Sequence, residues 1–222
     1  MAIDEGDKQK LTGQQIHDQA PAGWSKVLDR LIARFETGDF NTGAALVAKI
    51  AEAADEVDHH PDVDLRYPHL TVSLKSHDVA AITPRDVRLA AAISQLAADV
   101  GVSAAEHAPD VLELALDTPD YEEVKPFWAA ILGYEASDHP RDVVDPADRT
   151  VNVWFQETGS EAADRQRWHV DISVAREVAE ERMQAAIDAG GRLVSDERAP
   201  AFWVLADPDD NLVCICTWES RD

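Results

Sequence analysis

Apolar positions recur at helical spacing in two stretches of the N-terminal half. After Asn41 or Thr42, either able to cap a helix, Leu46, Val47, Ile50, Ala53, Ala54 and Val57 line one face of a helix reaching about Val57. His59-His60-Pro61 ends it, since the residue before a proline is pushed out of the helical region. Thr83-Pro84-Arg85-Asp86 opens the second helix, with Thr83 as N-cap and proline at the first helical position. It runs through Val87, Leu89, Ala90, Ile93 and Leu96 to about Ala98. Between the two, Leu70 to Leu74 alternates as a strand does. Upstream, Thr12-Gly13-Gln14-Gln15 has the form of a capping box, Pro21-Ala22-Gly23 breaks the chain, and Trp24 to Glu36 is expected to hold two strands around Asp29-Arg30. Residues 1–10 read as a disordered lead-in and residues 101–109, small, polar and proline-ended, as a linker.

The second half repeats itself. Ala129-Ala130-Ile131 precedes Gly133, and Ala185-Ala186-Ile187 precedes Gly190. Each triplet lies late in a predicted helix that follows a strand, Val111 to Leu116 in one copy and Trp168 to Val174 in the other. The strands after each helix end in Asn152-Val153-Trp154-Phe155 and Asn211-Leu212-Val213-Cys214. Two such units predict a pseudo-symmetric α+β domain over 110–222, after a first domain over 11–100.

Composition narrows the partners. Of 222 residues, 45% are apolar, and 20 Lys and Arg face 43 Asp and Glu, for a formal charge of -23. Such a surface repels phosphate backbones and anionic headgroups, so neither nucleic acid nor membrane is an expected partner. Met1 to Lys10 contains no apolar h-region, no apolar run approaches the roughly 20 residues of a membrane span, and Cys214 and Cys216 are the only cysteines. A reducing, cytoplasmic setting is expected.

His59, His60, His69 and His77 crowd into a short stretch. Imidazoles titrate near neutrality and suit general acid–base work. His59 and His60 stand where a helix ends, His77 follows a strand and Asp86 starts the next helix, so these ends can converge on one cleft. Other readings exist for each: Asp86 as a helix cap, Asp55 as a solvated helix residue, Tyr67 as core packing, His69 as an ordinary strand residue, and the histidines as a zinc site, although no cysteine lies near them.

The spacing Asp55, His59-His60-Pro61, Tyr67, His77, Asp86 resembles the pterin-4a-carbinolamine dehydratase family, and the similarity extends from about Leu11 to Ala98. The resemblance implies an antiparallel sheet with helices on one face, and conversion of a 4a-hydroxytetrahydropterin to the quinonoid dihydropterin and water without metal or cofactor. It implies His60 and His77 as the acid and base, His59 holding the pterin or sharing the proton work, and Asp86 orienting an imidazole. Pro61, Tyr67 and Asp78 are the implied substrate-binding residues. A pterin is the implied small-molecule partner and a homo-oligomer the implied assembly. One departure stands out: the family carries glycine after the His77-Asp78 pair, where this chain has Ala80-Ala81, and alanine disfavours positive φ.

Val111 to Trp218 resembles the vicinal-oxygen-chelate superfamily, with two βαβββ modules of glyoxalase/bleomycin-resistance type. Asp120, Phe127-Trp128 and Leu132-Gly133 carry the likeness in the first module, with Trp168-His169-Val170-Asp171 and Asp207-Pro208-Asp209-Asp210-Asn211 in the second. The metal-ligand positions of that superfamily match Glu113, Phe155, His169 and Cys214. Phenylalanine binds no metal, so the expectation is a metal-free sheet that binds a small molecule or dimerises, with Glu113, His169 and Cys214 as weak ligand candidates. Trp128, Trp154, Trp168 and Trp203 suit either an apolar pocket or core packing. The rival readings are an inactive pterin-binding first domain, metal-dependent lyase or dioxygenase chemistry in the second, and sequestration of a hydrophobic ligand there.

Overall fold

Thr12 caps α1 (Gly13–Gln19) through the expected box: its hydroxyl accepts the Gln15 N–H at 3.2 Å, and the Gln15 carboxamide oxygen accepts the Thr12 N–H at 2.9 Å. The strands β1 (Trp24–Val27) and β2 (Arg30–Glu36) form the expected hairpin. The next helix, α2 (Phe40–Val57), opens two or three residues earlier than the sequence suggests. Asp39 is its cap, accepting the Thr42 N–H at 2.8 Å and the Thr42 hydroxyl at 2.9 Å. A strand that the pattern does not announce, β3 (Asp62–Arg66), follows and pairs antiparallel with β4 (His69–Leu74). Charged Asp62, Asp64 and Arg66 occupy this edge strand, which deters pairing with other chains. The helix α3 (Pro84–Asp99) starts at Thr83 as predicted.

These elements belong to a computed structural model that describes residues 5–137, 139–147, 150–159, 168–206 and 212–220. The first sheet runs β1-β2-β4-β3. One face of it, with Leu31, Phe35, Leu70 and Val72, packs against Leu46 and Ile93 of the helices, so the helices lie on one side. Fully burying side chains of this size is worth about 1.5–3 kcal/mol each.

Two stretches differ from expectation. Glu5–Lys8, within the expected lead-in, forms a 3-10 turn, and Asp7 accepts a bond from Arg88 at 2.7 Å. Within the expected linker, β5 (Ser103–Ala104) pairs antiparallel with β2, Val102 enters the first core, and the Ala105 N–H bonds the Arg34 carbonyl at 2.7 Å. Gly23 makes room for this strand: its φ is +83°, and a Cβ there would stand 2.4 Å from that of Ala104.

The chain divides into two compact units, the first built on Met1–Asp110 with Val174–Val178 and Thr217–Asp222, the second on Val111–Ser173 and Ala179–Cys216. The second unit repeats one βαβββ motif. Its first copy is β6 (Val111–Thr118), α4 (Tyr121–Leu132), β7 (Glu135–Ala136), β8 (Asp142–Val144) and β9 (Asn152–Glu157). The second copy is β10 (Trp168–Ser173), α5 (Ala179–Asp188), β11 (Arg192–Ser195), β12 (Phe202–Ala206) and β13 (Leu212–Cys216). The order β11-β12-β13-β10-β6-β9-β8-β7 is symmetric about the central antiparallel pair β6 and β10, each of which has a parallel outer neighbour. The two Ala-Ala-Ile triplets lie in α4 and α5, as the repeat predicts. Phe155 is fully buried beside Leu116, Val143 and Val153, and Trp128 meets Trp168 edge to face at 5.1 Å.

Candidate active site

The end of α2 aims the first histidine inward. Asp58 takes the left-handed conformation (φ 49°, ψ 46°), and the His59 N–H then bonds back to the Ala54 carbonyl at 3.1 Å, in the manner of helix C-caps. His59 is only 7% exposed, and its Nε2 meets Asp86 Oδ1 at 2.8 Å. The other Asp86 oxygen accepts the Thr83 N–H at 2.7 Å and the Ser76 hydroxyl at 2.7 Å. Asp86 is therefore both helix cap and imidazole partner, and the two readings of it coincide. Burial pushes its carboxyl up, but the bonds from His59, Thr83 and Ser76 outweigh this and hold it below the usual carboxylate range.

His60 and His77 are exposed. The Nε2 of His60 lies 2.9 Å from Asp55 Oδ1, on the preceding turn of α2. In the β3/β4 register Asp62 faces Ser73, so His60 and Pro61, entering β3, share a sheet end with Ser76 and His77, leaving β4. Ser76 ties this end to Asp86, and hence to His59.

The remaining candidates lie differently. Tyr67 sits in the β3–β4 turn, beyond the closing pair Arg66 and His69, and is 71% exposed. At about 3.4 Å per residue, the four steps of β3 alone set it at least roughly 14 Å along the hairpin from the histidine end. Nor is it core packing. Asp78 is held by Arg85 at 2.6 Å and Lys8 at 3.2 Å, and the Arg85 bond chiefly sets its carboxyl low. Ala80 adopts φ 48°, ψ 38° in spite of its side chain, so the loop keeps the left-handed turn that glycine would favour. His69 is a half-buried strand residue outside the group.

In the second unit Glu113 faces Asp171 across β6 and β10, and Phe155 belongs to the core. His169 and Cys214 do converge, but the third member of their group is Asp171, with ligand atoms all within 4.8 Å of one another. Sequence matching passed over Asp171, although it shares a strand face with His169, two residues before it. Trp154 adds a polar contact to either reading of it: its indole N–H bonds Asp171 Oδ2 at 3.0 Å. Residues 207–211 and the Phe127 side chain lie outside the described residues.

Comparison with known proteins agrees with this division. Residues 9–96 match the family model of pterin 4 alpha carbinolamine dehydratase, and residues 113–216 match that of a glyoxalase-like domain. A relative from Thermosynechococcus vestitus is 41% identical over 75 residues, 34% of this chain and 79% of its own length. Another, from Picosynechococcus, is 38% identical over 89 residues, 39% of this chain and 97% of its own. The names of both place them among the pterin-4-alpha-carbinolamine dehydratases. The chain belongs to the pterin-4a-carbinolamine dehydratase family. A transcriptional coactivator/pterin dehydratase from Brucella melitensis, known from its crystal structure, is 28% identical, with a TM-score of 0.39 over 40% of this chain and 99% of its own. The dehydratase-like domain holds the histidines described above, and the glyoxalase-like domain the group around Asp171. No helix among the described residues is long and apolar enough to cross a membrane.

Proposed function

We propose that the first unit, centred on residues 11–100, dehydrates a 4a-hydroxytetrahydropterin, with His60 and His77 as acid and base. The reaction breaks the C4a–O bond while N5 gives up its proton, and a C4a=N5 double bond and water result. One imidazole protonates the departing hydroxyl and the other takes the N5 proton, so no net charge is left on the protein. Such help is typically worth about 10²–10⁴-fold per group. Pro61 fixes the backbone after His60. His59, anchored by Asp86, positions the loop that carries His60, and Ser76 links the same carboxylate to the segment carrying His77.

The observation that carries this reading is the buried 2.8 Å bond between His59 and Asp86, with exposed histidines adjoining each of the segments it joins. Tyr67 is left out of the proposed site because of its place in the hairpin. The second unit, within residues 110–222, is proposed to bind a small molecule, and self-association of the chain is proposed from the family likeness.

The test is the rate of dehydration of an authentic 4a-hydroxytetrahydropterin by wild type, His60→Ala and His77→Ala. Acceleration by wild type that each substitution cuts by about a hundredfold supports the acid–base pair. A folded protein that gives no acceleration over the spontaneous reaction makes the unit a pterin-binding module instead.

A further inference from the structure

We propose that His169, Asp171 and Cys214 form a binding site for one divalent metal ion of the zinc class. The set differs from the one drawn from equivalent strand positions: Phe155 is apolar and buried, and Glu113 does not join the group. Asp171 takes its place. It pairs in register with Cys214 on the parallel neighbour β13, and His169 precedes it by two residues on β10. All of these side chains therefore issue from one face of the sheet.

Asp171 offers a buried acceptor to the spot where the three side chains converge. Its side chain is 7% exposed, and while Oδ2 accepts the Trp154 indole N–H at 3.0 Å, Oδ1 has no hydrogen-bond partner. Oδ1 lies 3.4 Å from His169 Nε2, without the alignment of a hydrogen bond. A buried carboxylate oxygen left in this state is costly, and native interiors rarely keep one without a partner. A cation among the carboxylate, imidazole and thiolate would give that oxygen a partner and take all three groups as ligands. Tetrahedral zinc sites place ligand atoms about 3.4 Å apart, so atoms within 4.8 Å of one another need only small side-chain rotations. The mixture of N, O and S suits a borderline-soft ion rather than calcium or magnesium. Asp117 lies 3.9 Å from the other imidazole nitrogen of His169, beyond hydrogen-bond distance but on the side from which a carboxylate would steady a ligating ring. Three protein ligands leave a fourth position for water or a small molecule, the arrangement of reactive rather than purely structural zinc.

The test uses the full chain, stripped with a chelator and titrated with cobalt(II), then zinc. One cobalt ion per chain is expected, with a thiolate-to-cobalt charge-transfer band that one equivalent of zinc abolishes. Cys214→Ser should lose the band and Cys216→Ser keep it. Asp171→Asn, nearly isosteric, should weaken metal binding at least about a hundredfold, and it decides the matter if Cys214→Ser does not fold. Metal held by the histidines of the first unit would show no thiolate band. The proposal is overturned if folded protein gives no band, if the band survives Cys214→Ser, or if Asp171→Asn leaves the affinity unchanged.

Discussion

His59 and Asp86 are 27 residues apart in sequence, yet their side chains meet at 2.8 Å with the carboxylate fully buried. The bond joins the end of α2 to the start of α3, and together with the Ser76–Asp86 bond it holds the segments that carry His60 and His77.

Asp86→Asn should cost about 3 kcal/mol, because the amide would turn its N–H₂ toward the Thr83 N–H, or else toward His59. The pH dependence should change too. With its folded pKa below the usual 3.8, Asp86 contributes stability that is present above that value and lost as pH falls through the folded one. Denaturant melts of wild type and variant from pH 2 to 7 should converge toward the acid end.

Tyr67→Ala should leave kcat/KM for dehydration within about threefold of wild type, whereas His60→Ala and His77→Ala each lower it about a hundredfold. Side-by-side kinetics check this. A large loss at Tyr67 would require that the hairpin turn reach a reacting pterin.

Ala80→Gly should stabilise the first unit by up to about 1 kcal/mol. A left-handed non-glycine residue costs roughly 1–2 kcal/mol, and the added freedom of glycine in the unfolded chain returns only part of that. Thermal melts should show a small rise in Tm.

Asp142→Asn should stabilise the protein at neutral pH and lose that advantage in acid. Burial raises the Asp142 carboxyl above the usual 3.8, and the nearby His139 and Lys125 offset this only in part. The folded state then binds a proton more readily than the unfolded one, so stability falls as pH rises from 3.8 through the folded value. Urea titrations at pH 3 and pH 7 should separate the two proteins only at the higher pH.

The helices at Thr83 and around Leu46 and Ile50 were legible because caps and helical spacing are local. So was the doubled motif, since Ala-Ala-Ile recurs at matching places in α4 and α5. The histidines could be grouped by spacing, but not which of them is buried. That depends on the left-handed turn at Asp58 and on Ser76 and Thr83 meeting around one carboxylate, pairings that no local pattern encodes. The strand β3 escaped because its outward charges mask the alternation of Val63 and Leu65. Asp171 is not legible from equivalent positions in the two repeats, because its place beside Cys214 is a matter of register between distant strands.

The short strand β5 separates the stretch that sequence comparison recognises from the stretch that must fold together. The family match stops at residue 96, and a protein cut at Ala98 would still carry every histidine of the site. It would lack Val102, which fills the core, and would leave the last two residues of β2, Phe35 and Glu36, bare where Ala104 and Ser103 now cover them. Unpaired backbone beside a hydrophobic edge is a template for pairing with other chains. A fragment trimmed to the family boundary is thus expected to aggregate, while one carried on to Asp110 keeps that edge shielded.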